Sequence, residues 1–208
     1  MSGNIYIDID HVSKRYQRGY AIQDITLRFE SGRLNLLVGA NGSGKTTLLK
    51  CIMGLLHYEG AIKRHPGKIG YAPEEYVMPQ FMTAMGFLRS IGRVKKADIA
   101  TINTLLMRKF ELLDLLSVAG KPIGQLSNGM RQKVNLIQAM IHQPEILLFD
   151  EPLSALDQTC QEIVIQWLKE EAKRKLVVVS THYPERYKIR NRVTYEIVSG
   201  RLKQNGLD

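Results

Sequence analysis

The chain has 208 residues, 44% hydrophobic and 24% charged, which suits a globular domain large enough to bury its own core and excludes disordered or fibrous classes. No apolar run reaches the roughly 18 residues of a membrane helix, the start lacks the basic-then-apolar pattern of a signal peptide, and Cys51 and Cys160 form no zinc or disulfide pattern; a cytoplasmic location is expected. The net charge of +9 comes from scattered basic residues, densest at 89–96 and 186–192, without the aromatic interleaving of a nucleic-acid groove; it reads as a solvated surface or as proximity to anionic lipid, with no nucleic acid expected.

In chain order, Ile5, Ile7 and Ile9, then Ile22, Ile25, Leu27 and Phe29, fall in segments that alternate apolar and polar residues. That period of two predicts antiparallel strands with one buried face. Residues 34–38 form a short apolar run ending at Gly39, the pattern of a strand covered on both faces. A glycine-rich loop and a helix over 44–55 follow. Residues 59–71 read as two short strands about the turn Arg64-His65-Pro66-Gly67. From 80 to 117 the pattern is helical, with Leu105, Leu106, Leu112, Leu113, Leu115 and Leu116 opposite Arg108, Lys109, Glu111 and Asp114. Gly120-Lys121-Pro122-Ile123-Gly124 breaks it. A helix over 128–142 stops before Pro144. Then come a buried strand over 146–149 ending in Asp150, a helix over 159–173, a strand over 176–180 and a hairpin over 193–203 that turns at Ser199-Gly200.

Gly39-Ala40-Asn41-Gly42-Ser43-Gly44-Lys45-Thr46 fits GxxxxGK[ST], the phosphate-binding P-loop. Glycines let the backbone bend until successive N–H groups point inward at phosphate oxygens, and the helix that follows adds the positive end of its dipole. Lys45 is placed to reach the β- and γ-phosphates, Thr46 to ligate Mg²⁺, and Thr47 beside it joins the nucleotide-binding set. The pattern arises by accident in on the order of one chain in a hundred of this length, and here it also follows an apolar strand and opens a helix. Such a site needs an acid at the end of a neighbouring strand. Asp150 has that position and is the candidate metal carboxylate. Glu151, one residue on, is the candidate that polarises the attacking water, and Pro152 stops the strand.

Leu126-Ser127-Asn128-Gly129-Met130 resembles the LSGGQ signature of the ABC ATPase family. The stretch 150–157 resembles that family's Walker B and D-loop, Ser180-Thr181-His182 its H-loop, and Tyr71-Ala72-Pro73-Glu74 its Q-loop. The resemblance covers nearly the whole chain, with the motifs in the family's order. It implies an α/β fold with a P-loop NTPase (RecA-like) core and an antiparallel β subdomain over 1–73 and 143–208. An inserted α-helical subdomain over 74–142 completes a single ABC ATPase domain over 1–208.

The resemblance also implies that two copies, alike or different, stack head to tail in an ATP-dependent dimer. Each ATP then lies between one P-loop and the partner's Ser127, Asn128 and Gly129. His182 would contact the γ-phosphate in cis, Tyr16 would stack on adenine, and Glu74 would serve Mg²⁺ or water. The partner implied is a separate transmembrane permease subunit, with this chain peripheral on the cytoplasmic membrane face and export as the expected direction. Residues 76–91, rich in Met78, Met82, Met85 and aromatics, are expected to line the groove that receives the permease.

Three departures stand out. Asn128 replaces a glycine, which its tolerance of positive φ would accommodate. Met130 and Glu74 replace glutamines. A soluble ABC ATPase acting on ribosomes or DNA, and a P-loop kinase, are the competing readings. The first expects two cassettes or a long coiled coil, and the second needs neither signature nor H-loop.

Overall fold

A computed structural model describes residues 4–203. Strands β1 (Tyr6–Tyr16) and β2 (Gly19–Glu30) form an antiparallel hairpin, and β4 (Glu59–Arg64) pairs with the other edge of β1. The core face of β2 carries Ile22, Ile25, Leu27 and Phe29, all buried. The three-residue step from Ile22 to Ile25 departs from the period of two. The register shifts there, and His11 and Asp24 take φ of 50° and 54°, as in a bulge that re-aims the strand.

The second sheet has the order β5-β6-β7-β3-β8-β9. Its parallel strands are β5 (Ile69–Ala72), β6 (Ile146–Asp150), β7 (Leu176–Thr181), β3 (Leu34–Val38) and β8 (Arg192–Val198); β9 (Arg201–Leu202) closes the edge antiparallel. Every residue of β6 and β7 is buried. Their alternate side chains divide between two cores. Leu34, Leu36, Leu147, Phe149, Val177 and Val179 face a helical core. Leu37, Ile146, Leu148, Leu176 and Val178 face the three-stranded sheet and α1 (Lys45–Ile52).

The helical core is built by α2 (Ala84–Val94), α3 (Ile99–Leu112), α4 (Asn128–Met140) and α5 (Gln158–Ala172). The helical stretch expected over 80–117 is two helices rather than one. Thr83 caps α2 by accepting from the Gly86 N–H, and Asp98 caps α3 by accepting from the Thr101 N–H at 2.8 Å. Lys96, with φ of 55°, turns the chain between them. The two short strands expected over 59–71 also separate: β4 joins the antiparallel sheet and β5 becomes the far edge of the parallel one. The helix expected over 44–55 ends at Ile52, where Gly54 leaves it with φ of 73°. No helix among the described residues is long and apolar enough to cross a membrane.

Candidate functional site

In open parallel sheets, ligands collect beyond the carboxyl ends of the strands. Here β3 runs into the glycine loop, β5 toward Glu74, β6 into Asp150 and Glu151, and β7 into His182. Parallel pairing therefore brings four sequence-distant segments to one rim.

The loop at the end of β3 is shaped by its neighbours. Gly44 has φ of 110°, and a Cβ there would lie 2.5 Å from the Ala21 carbonyl oxygen and 2.6 Å from an Ile22 methyl, so only glycine fits. The β1–β2 hairpin thus presses directly on the loop. The turn at Gly200 supports it as well, its N–H donating to the Ser43 carbonyl at 3.1 Å and its carbonyl accepting from Gln23 N–H at 2.7 Å. Sequence reasoning placed Gly200 only in a hairpin turn. Helix α1 starts at Lys45 with no side-chain cap, which leaves its first N–H donors free for an anion.

Lys45 is buried. Its Nζ donates to the carbonyls of Gly39 at 2.8 Å and Ala40 at 3.2 Å, and lies 3.6 Å from Glu151 Oε1. The same carboxylate oxygen lies 2.9 Å from His182 Nδ1. The approach lacks hydrogen-bond geometry, and both atoms, like Ser43 Oγ, are buried polar atoms without a hydrogen-bond partner among the described residues. Buried polar atoms are normally satisfied. Three orphans converging on one glycine loop fit a polar ligand bearing phosphate oxygens and water. Glu151 takes φ of 47° and is held by its N–H, which donates to Ser180 O and Ser180 Oγ at 3.2 and 3.1 Å.

Asp150 is buried at the end of β6. Its Oδ1 accepts from Ser180 Oγ, and its Oδ2 has a long 3.5 Å contact with the Tyr71 hydroxyl. Burial, then the Asp150 charge, pushes the Tyr71 phenol well above its ordinary range, so it stays a neutral donor. Glu74 stands at the solvent edge of the same rim. Its carboxyl is raised above the usual range by partial desolvation, then by the charges of Asp150 and Glu151, with Lys45 opposing. Asp150, Glu74 and the Thr46 hydroxyl offer hard oxygen donors of the kind that suits Mg²⁺, although the described residues hold no cluster of three or more acidic, histidine or cysteine side chains placed to bind a metal.

Other expected residues lie apart. Tyr16 is half-exposed at the β1–β2 turn, in a cavity of about 630 Å³ shared with Tyr20, an equally exposed aromatic that the sequence reading passed over. Ser127 is the N-cap of α4, its Oγ accepting from Met130 N–H at 3.2 Å. Asn128 is the first helical residue and takes no positive φ, so the conformational tolerance expected of it is not called on. Its side chain instead accepts from Arg131. Asn128 lines a cavity of about 560 Å³ with Glu74, Val77 and Ala155. Of the expected groove residues, Met78 is only 4% exposed and belongs to the helical core, because its side chain packs inward beneath the segment. Val77 at 99% and Phe81 at 84% are the exposed apolar positions.

The sequence profile described as ABC transporter matches residues 22–154. The chain belongs to the ABC transporter family. It is 34% identical over 183 residues to the uncharacterized ABC transporter ATP-binding protein YxlF of Bacillus subtilis (strain 168), covering 85% of this chain and 62% of that protein. It is 32% identical over 206 residues to the sulfate/thiosulfate import ATP-binding protein CysA of Escherichia coli (strain K12), covering 90% and 56%. The chain thus spans about 60% of the length of these relatives. A solved structure of an ATP binding subunit of an ABC transporter superposes with a TM-score of 0.86 at 25% identity, over 96% of this chain and 89% of that one. The matched span contains the glycine loop, Glu74 and the Asp150–Glu151 pair of the rim, while His182 lies beyond it.

Proposed function

We propose that this chain binds and hydrolyses ATP and that two copies closing on ATP drive a separate membrane permease. The observation that carries the reading is the cluster beside the glycine loop, where Glu151 lies against both Lys45 and His182 and buried polar atoms of Ser43, Glu151 and His182 have no hydrogen-bond partner among the described residues.

In this reading Gly39, Asn41, Gly42, Ser43 and Gly44 wrap the phosphates with backbone donors. Lys45 offers its ammonium to the β- and γ-phosphate oxygens. Thr46 and Thr47 present hydroxyls at the start of α1. Thr46, Asp150 and Glu74 would hold Mg²⁺, which when bound supplies neutralisation of phosphate charge. Glu151, fixed at its N–H by Ser180, orients a water for in-line attack and takes its proton. His182 lies against the same carboxylate and contacts the γ-phosphate. Tyr16 stacks on adenine. Ser127, Asn128 and Gly129 complete the partner copy's site, where the α4 N-terminus favours negative charge.

The domain division is proposed as a core over 1–73 and 143–208 and a helical part over 74–142. Docking of the permease is assigned to the exposed Val77 and Phe81 beside the Glu74 segment. Localisation at the cytoplasmic membrane face follows from that docking. Export is the direction that the resemblance to exporter-type ATPases, the Glu74 pattern included, implies, whereas the CysA relatives are named for import; transport in vesicles of known orientation decides between them.

The test is a Glu151→Gln protein held with saturating ATP and sized by light scattering. An ATP-dependent dimer is expected. A strict monomer would favour a kinase-type P-loop enzyme. Gentle solubilisation of native membranes should recover a polytopic membrane protein in stoichiometric amount. Ribosomal proteins or nucleic acid instead would overturn the transport role and leave the ATPase intact.

A further inference from the structure

Strand β5 is the edge of the parallel sheet, and an edge strand leaves one row of backbone groups without a strand partner. Here three carbonyls of that row are met by side chains of α4 and the turn after it. The Ile69 carbonyl faces His142 Nε2 at 3.2 Å, the Tyr71 carbonyl accepts from Gln138 Nε2 at 2.7 Å, and the Pro73 carbonyl accepts from Asn135 Nδ2 at 2.8 Å. Alternate carbonyls of β5 and the residue after it are thus met by residues three to four apart along α4 and its following turn. Two strand residues rise about 6.6 Å and three to four helical residues about 4.5–6 Å, so the two spacings nearly match. The amides are also in range of one another, Gln138 to Asn135 at 3.4 Å and Asn135 to Gln132 at 3.5 Å. Gln132 then reaches across to β6's exit, donating to the Pro152 carbonyl at 3.2 Å and lying 3.5 Å from the Glu151 carbonyl. Contact is close throughout: a Cβ on Gly70 would come within 1.9 Å of the Ala139 carbonyl oxygen.

One helix face therefore touches the strand leading to Glu74, the peptide following Glu151 and, at its own start, Ser127. We propose that Gln132, Asn135 and Gln138 are positioning residues for nucleotide turnover, holding Ser127, the Glu74 segment and the Glu151 peptide in a single register. The inference rests on the ATPase reading above. Gln132 and Asn135 are almost fully buried, and an amide there costs desolvation that an apolar side chain would not. Because each hydrogen bond fixes a direction as well as a distance, the ladder defines one placement of α4 along β5, where an apolar seam would allow sliding.

The test uses the full chain. Gln138→Met keeps the length, removes the donor and leaves the Tyr71 carbonyl unpaired; Gln138→Lys restores a donor. Steady-state ATP hydrolysis, binding of a fluorescent ATP analogue and thermal unfolding are measured on each. We expect kcat to fall about tenfold in Gln138→Met, as small misplacements of catalytic groups do. Analogue affinity should change less than twofold, and Gln138→Lys should recover most of kcat. Combined with Glu74→Gln, the effect on kcat should be smaller than the product of the single effects, because both act through one segment. If Gln138→Met is insoluble, Gln138→Ser, which admits water to the carbonyl, carries the same expectation. A lowered melting temperature with unchanged kcat, or a lysine variant no better than methionine, overturns the positioning role and leaves the ATPase reading standing. A wild-type chain that neither binds the analogue nor releases phosphate removes both.

Discussion

The glycine-loop rim and the face of α4 are two polar regions set against apolar cores, and they are assembled from different materials. At the rim, chain geometry does most of the work. Parallel strands end together, Gly44 adopts φ of 110° under the pressure of Ala21, and α1 begins without a cap. The side chains that matter there, Lys45, Asp150, Glu151 and His182, sit at a strand end, one residue past it or at a helix start. On α4 and the turn after it, by contrast, side chains meet carbonyls along the open edge of β5 and at Pro73. The rim resists change through backbone constraint, while the α4 face depends on individual amide donors. Mutations should therefore act sharply and locally at the rim, and more gradually along α4.

The largest expected effect lies at the rim. Glu151→Gln keeps the shape and removes the charge, so phosphate release should fall about 10²–10⁴-fold while a fluorescent ATP analogue still binds. Equal loss of binding and hydrolysis would mean that Glu151 holds the loop together through Lys45 rather than acting on water. Next is Gly44→Ala. A forced left-handed alanine costs about 1–3 kcal/mol, and its Cβ would collide with the Ala21 carbonyl. Thermal unfolding should shift downward and analogue affinity should drop roughly tenfold or more, since 1.4 kcal/mol is tenfold in binding. An alanine protein with native affinity would show that the loop tolerates rearrangement and would weaken the contrast with α4.

The same contrast explains what the sequence discloses. The eight residues from Gly39 to Thr46 are legible because backbone geometry and phosphate chemistry each demand particular residue types at fixed spacing. Asp150 is legible because a four-residue apolar run must end somewhere. The division of 146–149 between two cores follows from the period of two. Less is visible where polar residues are buried by tertiary neighbours. Gln132, Asn135 and Gln138 recur at three-residue spacing, which on a helix reads as a solvated stripe, and only the edge of β5 turns it inward. Asn35 sits unremarked in an apolar run, yet it is fully buried and its amide donates to the Val177 carbonyl at 3.0 Å. Met78 reads as a groove methionine and packs into the core instead. The separation of β4 from β5 has no local signal, because partner choice is decided by strands more than 40 residues away in sequence.

A smaller effect is expected at the start of α4. Ser127 is exposed and its Oγ caps the Met130 N–H. Ser127→Ala should cost about 1 kcal/mol, seen as a drop of roughly 2–4 °C in melting temperature for a chain of this size. Ser127→Asp restores a capping oxygen and should recover the stability. If Ser127 also meets the partner copy's ATP, Ser127→Asp should still fail in ATP-dependent dimerisation, because its charge would face phosphate. Recovery of both properties would confine the residue to capping.

The smallest effect is a pH profile at the far end of the ladder. His142 is buried, with Nε2 toward the Ile69 carbonyl and Nδ1 without a partner among the described residues. The neutral ring protonated on Nε2 satisfies that carbonyl, whereas a second proton on Nδ1 would place charge where neither water nor an acceptor reaches it. Burial accordingly lowers the His142 pKa below 6.5, with Lys95 and Lys68 adding repulsion and Glu145 and the Ile69 bond opposing. With the folded pKa below the unfolded one, the unfolded chain binds more protons between the two values, so stability rises with pH there. The contribution is present above pH 6.5 and is lost as pH falls through the folded pKa. Melting temperatures recorded from pH 8 to pH 5 should decline more steeply in the wild type than in His142→Gln, which keeps an amide donor for Ile69 but cannot take a proton. Parallel curves would place the titrating group elsewhere, and a uniformly lower curve for the glutamine variant would mean that its side chain fails to reach the edge strand.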